Sequence, residues 1–217
     1  MERLKVGIVI PALNESSTIS KIIKSTKKFG IPIVVNDGST DNTEKVSIDA
    51  GALIVNHKTT MGYDSSINSG FKKASKINCK VVITLDADGE HNPNEIELFI
   101  NEIKSGADLV IGDRQFFQRF SEKLFSQYTN FCFGIRDPLC GLKAYRIDIY
   151  NKLGHFDSYE SIGTELAIYA INNSYKFSQI KISTKKRKNQ SRFGGAMMAN
   201  YKILRAMTKS FYINKII

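Results

Sequence analysis

The sequence predicts an α/β fold, a mostly parallel central sheet covered by helices on both faces. Three observations carry that expectation. Short apolar runs alternate with segments of helical period along the first half of the chain. The runs are apolar at successive positions, as strands buried on both faces are. Pro11 closes the first run, and Gly30, Gly51 and Gly106 end the helical segments that follow the runs. With 217 residues and 42% hydrophobic content, the chain is long enough for one well-buried domain spanning 1–217.

Taken in order, Lys5 to Ile10 is a strand closed by Pro11, and Asn14, Ser16 or Ser17 can cap a helix carrying Ile19, Ile22, Ile23 and Phe29. Ile31 to Val35 is a second strand. It runs into NDGSTDNTE, where Asp41 and Glu44 have capping-box spacing for a helix ending at Gly51. Ala52 to Val55 is the third strand, and Ile67, Phe71 and Ala74 mark the next helix. Val81 to Leu85 is the central strand, Pro93 starts a helix that Gly106 ends, and Asp108 to Ile111 is a fifth strand. Beyond Arg114 the pattern changes. Phe116 to Phe133 has helical spacing, and Phe116, Phe117, Phe120, Leu124, Phe125, Tyr128 and Phe131 make an aromatic stripe suited to core or to a groove for a lipid chain. Gly141 to Ile147 reads as a strand, Ser161 to Asn172 as a helix and Phe177 to Ser183 as a strand. The final helix, Met197 to Ile213, gathers Tyr201, Leu204, Met207, Thr208 and Phe211 on one side, to lie on a membrane surface or dock on the sheet.

Ligands of such a sheet bind beyond the carboxyl ends of its strands. Those ends carry Pro11 to Glu15, Asn36 to Ser39, Asp86 to Glu90 and Gly112 to Arg114. Neither a GxGxxG nor a Walker lysine is present, which argues against a phosphate site built on a glycine loop. The frame is organised around VVITLDADGEH, Val81 to His91, a buried strand opening onto an acidic loop. Asp86 and Asp88 can point to one side if the chain turns between them, and Ala87 and Gly89 permit that turn. Hard oxygen ligands held together suit Mg²⁺ or Mn²⁺ clamped against a substrate's phosphates. The same pair also suits a polar strand exit in which one aspartate caps the following turn.

The net charge is +10, and its distribution is uneven. From Leu166 onward there are 11 Lys or Arg and no Asp or Glu, leaving 20 basic and 21 acidic residues before it. A one-signed field of this kind attracts an anionic partner, with phosphate groups, lipid headgroups and nucleic acid as candidates; a solvated basic face is the alternative. The three cysteines lack CxxC spacing and read as buried thiols. There is no run of about 18 apolar residues and no signal-peptide pattern, so the expected location is cytoplasmic, peripheral to a membrane and without a transmembrane helix.

Four segments, VIPALNE at Val9 to Glu15, VVNDGSTDNT at Val34 to Thr43, LDADGEHNP at Leu85 to Pro93 and DPLCGLKAYR at Asp137 to Arg146, occur together with GDR at Gly112 to Arg114. In these motifs the chain resembles the family 2 glycosyltransferases, and within them the dolichol- or polyprenyl-phosphate sugar synthases. The resemblance implies a GT-A (nucleotide-diphospho-sugar transferase) fold, with 1–114 as the nucleotide-sugar-binding half and 115–217 as the acceptor-side half. It implies that Pro11, Leu13, Glu15, Val35 and Asp37 line the donor-nucleotide pocket. Asp86, Ala87, Asp88 and Glu90 would surround the sugar diphosphate and a Mg²⁺ or Mn²⁺ ion, with Asp86, Asp88 and Glu90 as metal ligands and Asp88 the most direct. Arg114 would reach a phosphate or the donor sugar, and Asp137 would serve acceptor-side catalysis. Lys186, Arg187 and Arg192 stand in the segment that holds phosphate once a loop closes. Arg136 is a further substrate-binding candidate, with a surface salt bridge as its alternative.

The sequence also departs from the family pattern. Asn36 stands where the family usually has the first Asp of a pair, Glu90 replaces a common Gln, and Ser191-Arg192 replaces Ser-Lys. The implied reaction is inverting, metal-dependent transfer of a sugar from a GDP-mannose or UDP-glucose type donor to a polyprenyl or dolichyl phosphate at the cytoplasmic membrane face. The alternative acceptor is a sugar hydroxyl of a glycan or glycolipid, from which Asp137 would take the proton. A nucleotidyltransferase would need a glycine-rich basic loop where PALNESST stands. A nucleic-acid-binding module would explain the basic last quarter, but the acidic loops would repel phosphates, so no nucleic-acid partner is expected.

Overall fold

The computed structural model describes residues 4–114, 116–117, 119–184 and 196–213. The chain opens as β1 (Val6–Ala12), α1 (Ile19–Thr26), β2 (Ile31–Asn36), α2 (Thr43–Asp49), β3 (Leu53–Asn56) and α3 (Tyr63–Lys76). It continues through β4 (Val81–Thr84), a 3₁₀ turn at Pro93–Glu95, α4 (Ile96–Lys104) and β5 (Leu109–Arg114). The second half contributes α5 (Phe120–Phe133), β6 (Lys143–Arg146), α6 (Ile147–Leu153), α7 (Glu165–Asn172), β7 (Phe177–Ile182) and α8 (Ala196–Ile213). The strands form one sheet in the order β3-β2-β1-β4-β6-β5-β7. Every pairing is parallel except those of β6, which runs antiparallel to both β4 and β5. This is the α/β architecture the sequence predicts, with one reversed strand inside it.

Strand β1 is buried along its whole length, and successive residues feed opposite faces of the sheet. Ile8 and Ile10 pack with Ile19 and Ile23 of α1 and with Phe99 and Ile103 of α4. Val9 faces the other layer, with Ile67 and Phe71 of α3 and Leu166 of α7. Helix α3 lies against β1 so closely that a Cβ on Gly70 would come within 2.2 Å of the Val9 side chain. Each fully buried Ile or Phe contributes about 1.5–3 kcal/mol through removal from water, which is why the two apolar faces fix the sheet order.

Four expectations need correction; of the three cysteines read as buried thiols, Cys79 and Cys140 are buried but Cys132 is exposed on α5. Helix α6 follows β6 without a break and was not anticipated; Ile147 and Tyr150 bury one side of its two turns, and Gly154, at φ 85°, ends it. The aromatic stripe is mostly not core. Helix α5 begins at Phe120 and buries Ser121, Glu122, Phe125, Ser126 and Thr129, while Phe116 and Phe131 are 79% and 91% exposed. Burial of Glu122 explains this choice of face, because its carboxylate pairs with Arg119 at 2.7 Å and lies 3.7 Å from Arg114. Likewise α8 buries Ala199, Ile203, Ala206 and Ser210 and leaves Tyr201, Leu204 and Phe211 exposed. Small residues at that spacing let the helix approach α5, where Ile203 and Ala206 enclose Phe125. Among the described residues, no helix is long and apolar enough to cross a membrane.

Candidate active site

A cleft of ≈ 380 Å³ opens beyond the carboxyl ends of β1, β2 and β4. One wall is Pro11, Ala12 and Leu13 from the exit of β1, with Asp37, Thr60, Gly62, Tyr63 and Ser66. Asp86, Ala87 and Asp88 follow from the exit of β4, and Leu139, Cys140, Gly141, Ile162 and Lys202 complete the lining. The expected residues Pro11, Leu13, Asp37, Asp86, Ala87 and Asp88 are therefore brought together. Glu15, Val35, Glu90, Arg114, Arg136 and Asp137 do not line this cleft. Lys186, Arg187 and Arg192 lie outside the described residues.

Asp37 is held more tightly than its sequence position suggests. Its Oδ1 accepts the Met61 N–H at 2.8 Å and lies 2.7 Å from His57 Nδ1, while Oδ2 accepts the Gly62 N–H at 2.9 Å. The other imidazole nitrogen, His57 Nε2, lies 2.9 Å from Ser69 Oγ. The ring is therefore held between a strand exit and a helix, one nitrogen on Asp37 and the other on Ser69. Neither His57 nor Ser69 has a sequence signal, because the contact joins a strand exit to a helix face. Asn36, the departure from the family pattern, ties β2 to β3: its amide donates to Asn56 Oδ1 at 3.0 Å and its Oδ1 accepts the Ser39 N–H at 3.2 Å. Val35 is buried in the core beneath α3. Glu15 is also buried, its N–H donating to Thr43 Oγ1 at 2.8 Å and its carboxylate accepting the Thr18 hydroxyl at 2.7 Å, so it braces the loop after β1.

The acidic loop is drawn together from behind by His91. This residue is buried, and its Nε2 lies 3.6 Å from Asp86 Oδ2. Burial disfavours the imidazolium, but Asp86, Glu90 and Asp88 outweigh it and raise the His91 pKa above its ordinary value. Burial raises the Glu90 pKa, against His91, which lowers it, and with Asp88, which raises it. Asp88 Oδ1 accepts the Glu90 N–H at 3.0 Å, so the turn-capping geometry is present within the acidic loop. Among the described residues no three acidic, His or Cys side chains converge as a ready-made metal cage. A donor set of Asp86 and Asp88 fits an ion that keeps waters and takes its remaining ligands from substrate phosphates, the habit of Mg²⁺ and the related Mn²⁺.

Behind Cys140 and Gly141 sits the ion pair of Arg114 and Asp137. Asp137 Oδ2 accepts the Arg114 backbone N–H at 3.1 Å and Nε at 2.7 Å, and Oδ1 accepts Nη2 at 3.0 Å. Burial alone would lower the Arg114 pKa, but Asp137 and Glu122 raise it, so the guanidinium stays charged. Both groups look inward at each other. Arg136 takes the surface alternative, its Nε 3.1 Å from Asp113 Oδ2. Beneath Tyr63 and Ile162 lies a further buried layer that sequence reading missed. Lys143 donates to the carbonyls of Pro138 and Gly163 at 2.7 and 2.8 Å, and burial lowers its pKa. Burial, then Asp157, pushes the Asp64 carboxyl up to about 7, and its Oδ1 has no hydrogen-bond partner among the described residues.

Comparison with known proteins gives this geometry a family. The description "Glycosyl transferase family 2" matches residues 7–204. The chain belongs to glycosyl transferase family 2. Among curated relatives of this family-2 chain, an uncharacterized protein of Methanocaldococcus jannaschii is 27% identical over 218 residues, covering 92% of this chain and 89% of the relative. The polyprenol monophosphomannose synthase of Mycolicibacterium smegmatis is 27% identical over 228 residues, covering 93% and 84%. Among solved structures, glucosyl-3-phosphoglycerate synthase from Mycobacterium tuberculosis, in complex with Mn²⁺ and UDP-glucose, matches with a TM-score of 0.76 at 19% identity, covering 95% of this chain and 79% of that one. The fold of the family-2 enzyme is thus the GT-A fold, and its activity is glycosyl transfer.

Proposed function

We propose that this family-2 enzyme moves a sugar, with inversion and with a divalent cation, from a nucleoside diphosphate sugar to a polyprenyl or dolichyl phosphate at a membrane surface. The observation that carries the reading is the joining of two unlike surfaces at one cleft. One side is acidic, with Asp37, Asp86 and Asp88; the other leads through Leu139 and Ile162 to α8, which exposes Met197, Met198, Tyr201 and Leu204 among Lys202, Arg205 and Lys209. Exposed apolar side chains interleaved with cations suit the interface of an anionic bilayer, where each cation adds about 1 kcal/mol of attraction. The 27% identical mycobacterial relative, named a polyprenol monophosphomannose synthase, supports the same acceptor class.

In this reading Pro11 to Leu13 and Asp37 hold the nucleotide, and Asp86 and Asp88 hold Mg²⁺ or Mn²⁺ against the diphosphate. The bound cation supplies a counter-charge for the leaving diphosphate as the glycosidic bond breaks. Asp37, braced by His57, presents a fixed acceptor to the base rather than a free-swinging one. Tyr63, Leu139 and Ile162 restrict water around the reacting carbon. An acceptor phosphate oxygen is already anionic near neutral pH, so the chemistry needs no strong general base, in keeping with Asp137 facing Arg114 instead of the cleft. Arg114 and Asp137 then act by positioning the Leu139 to Gly141 wall.

The test is transfer of radiolabelled sugar from GDP-mannose or UDP-glucose to polyprenyl phosphate with Mn²⁺ or Mg²⁺, with and without EDTA. Label should enter the organic phase, vanish with EDTA and fall on the order of 10²- to 10³-fold in Asp88→Asn, the scale of removing one electrostatic stabiliser. Label that stays aqueous with both donors, while metal-dependent donor binding persists, rejects the lipid acceptor. A phosphorylated small molecule is then the next acceptor to try, since the neighbouring synthase was also solved in complex with phosphoglyceric acid.

A further inference from the structure

We propose that Lys202 of α8 binds the phosphate monoester of the acceptor, so that the last helix supplies the cation of the acceptor subsite. The inference rests on the reading of a phosphate-bearing acceptor above. Among the described residues, Lys202 is the only Lys or Arg that lines the cleft, whose other charged lining residues are Asp37, Asp86 and Asp88. Arg114 cannot serve in its place, because Asp137 and Glu122 already hold its guanidinium. An acidic cleft that admits a second anion besides the donor needs a counter-charge on the acceptor's side.

The placement of Lys202 follows from how α8 is seated. Lys202, Arg205 and Lys209 fall at i, i+3 and i+7, one face of the helix. Two of the three are engaged by the loop before α7: Arg205 pairs with Glu160, and Lys209 Nζ donates to the Tyr159 carbonyl at 3.2 Å. Lys202 has no such partner among the described residues and projects into the cleft. On the neighbouring face Ile203 and Ala206 pack on Phe125, with Leu139 and Ile162 around them, so the same contacts that seat the helix build the cleft wall.

The loop itself is strained where it meets the cleft. Glu160 and Ile162 have φ of 60° and 57°, and the left-handed region is unfavourable for a β-branched residue such as Ile162. Asp157 over-determines the conformation by accepting the N–H groups of Tyr159, Glu160 and Ser161. The result is an apolar side chain, Ile162, beside Leu139 and one ammonium group. Met198, one helical turn before Lys202 and 53% exposed, extends the apolar surface outward. A cation with an apolar path leading away from it is matched to a phosphate on an apolar chain; a small phosphate monoester would use the cation alone.

The experiment compares wild type, Lys202→Ala and Lys202→Arg by calorimetry with Mn²⁺ and UDP, or GDP, present. Three probes are titrated: geranyl phosphate, glycerol phosphate and phosphate-free geraniol. Lys202→Ala should weaken a phosphate probe roughly tenfold or more, the scale of one charge-assisted hydrogen bond, while Lys202→Arg recovers most of it. Donor affinity for GDP-mannose or UDP-glucose, measured without acceptor, should stay within about twofold in both variants, because the residue serves the other ligand. A Lys202-dependent preference for geranyl phosphate over glycerol phosphate identifies the lipid source; equal Lys202-dependent binding of both keeps the subsite and assigns it to any phosphate monoester. The proposal is overturned if Lys202→Ala binds the phosphates as wild type does, if donor affinity falls by the same factor, or if wild type binds neither phosphate. Failure of label to enter lipid in the transfer assay would reject the acceptor reading without bearing on a Lys202-dependent glycerol phosphate site.

Discussion

Replacing Asp137 by Asn separates two roles for this residue, a base at the acceptor and an anchor for Arg114. Asp137 is fully buried and accepts three hydrogen bonds from Arg114. An asparagine retains one acceptor oxygen and turns an amide N–H₂ toward a guanidinium or a backbone N–H, so at least one donor is left facing another. Removing one partner of a buried ion pair costs about 3–5 kcal/mol. The Glu122 carboxylate, 3.7 Å from Arg114 Nη2, remains as partial compensation and places the expected loss near the lower end. In a protein of this size about 3 kcal/mol lowers the melting temperature by roughly 6–12 °C. The assay is thermal and urea unfolding of wild type and Asp137→Asn, alongside kcat at a temperature where both are folded. Arg114→Met added to Asp137→Asn should restore part of the stability, because it removes the unpaired cation. An unchanged unfolding midpoint with a rate lowered about 10²- to 10⁴-fold would refute the anchoring argument and return Asp137 to the role of base.

Two further outcomes follow from the geometry. In Gly141→Ala the new Cβ would meet Asp86 Oδ2 at 2.1 Å, so the carboxylate must move. Unfolding should show a loss of about 1–3 kcal/mol from overpacking, and calorimetry should show Mn²⁺-dependent donor binding weakened; wild-type Mn²⁺ dependence in this variant would sink the assignment of Asp86. Asp64 holds its proton up to a pH of about 7 in the folded protein, against 3.8 in the unfolded chain. The native state therefore binds more protons between those values, and the contribution of Asp64 to stability falls as pH rises from about 4 to about 7 and is flat above. Asp64→Asn should flatten that part of the profile in urea titrations at stepped pH, and an unaltered slope would refute the assignment to Asp64.

How much of this was legible beforehand divides along physical lines. The strands of the first half were legible because both faces are covered, so runs such as Val81 to Thr84 are apolar throughout. Asp86 and Asp88 were legible because a strand exit fixes their position relative to the sheet. The faces of α5 and α8 were not. A helix with aromatics around much of its circumference offers several candidate core faces, and Glu122 with Arg114 and Arg119, not hydrophobicity, selects one. In α8 close approach favoured Ala199 and Ala206, residues too small to stand out in a pattern of Tyr, Leu and Phe. The His57 brace and Lys202 depend on contacts between elements distant in sequence, for which one chain carries no periodic signal.

The reversed strand explains why the DPLCGLKAYR segment belongs to the site at all. Strand β6 runs antiparallel to β4 with Lys143 opposite Thr84, so the start of β6 sits at the sheet edge where β4 ends. The residues that precede it, Leu139 to Gly141, therefore arrive beside Asp86, and the Thr84 hydroxyl donates to the Gly141 carbonyl at 2.7 Å to hold them there. A parallel β6 would deliver them to the opposite edge. From this wall a continuous set of contacts runs outward. The Lys143 ammonium bonds the Pro138 and Gly163 carbonyls, joining the wall to the strained loop, and Glu160 and Tyr159 of that loop hold Arg205 and Lys209 of α8. The position of Lys202 is thus set through β6, the strand that also delivers Leu139 to Gly141 beside Asp86. In the proposed reading, loosening the Lys143 contacts should weaken acceptor binding before donor binding in calorimetry, because Asp37 is fixed independently by His57, Met61 and Gly62.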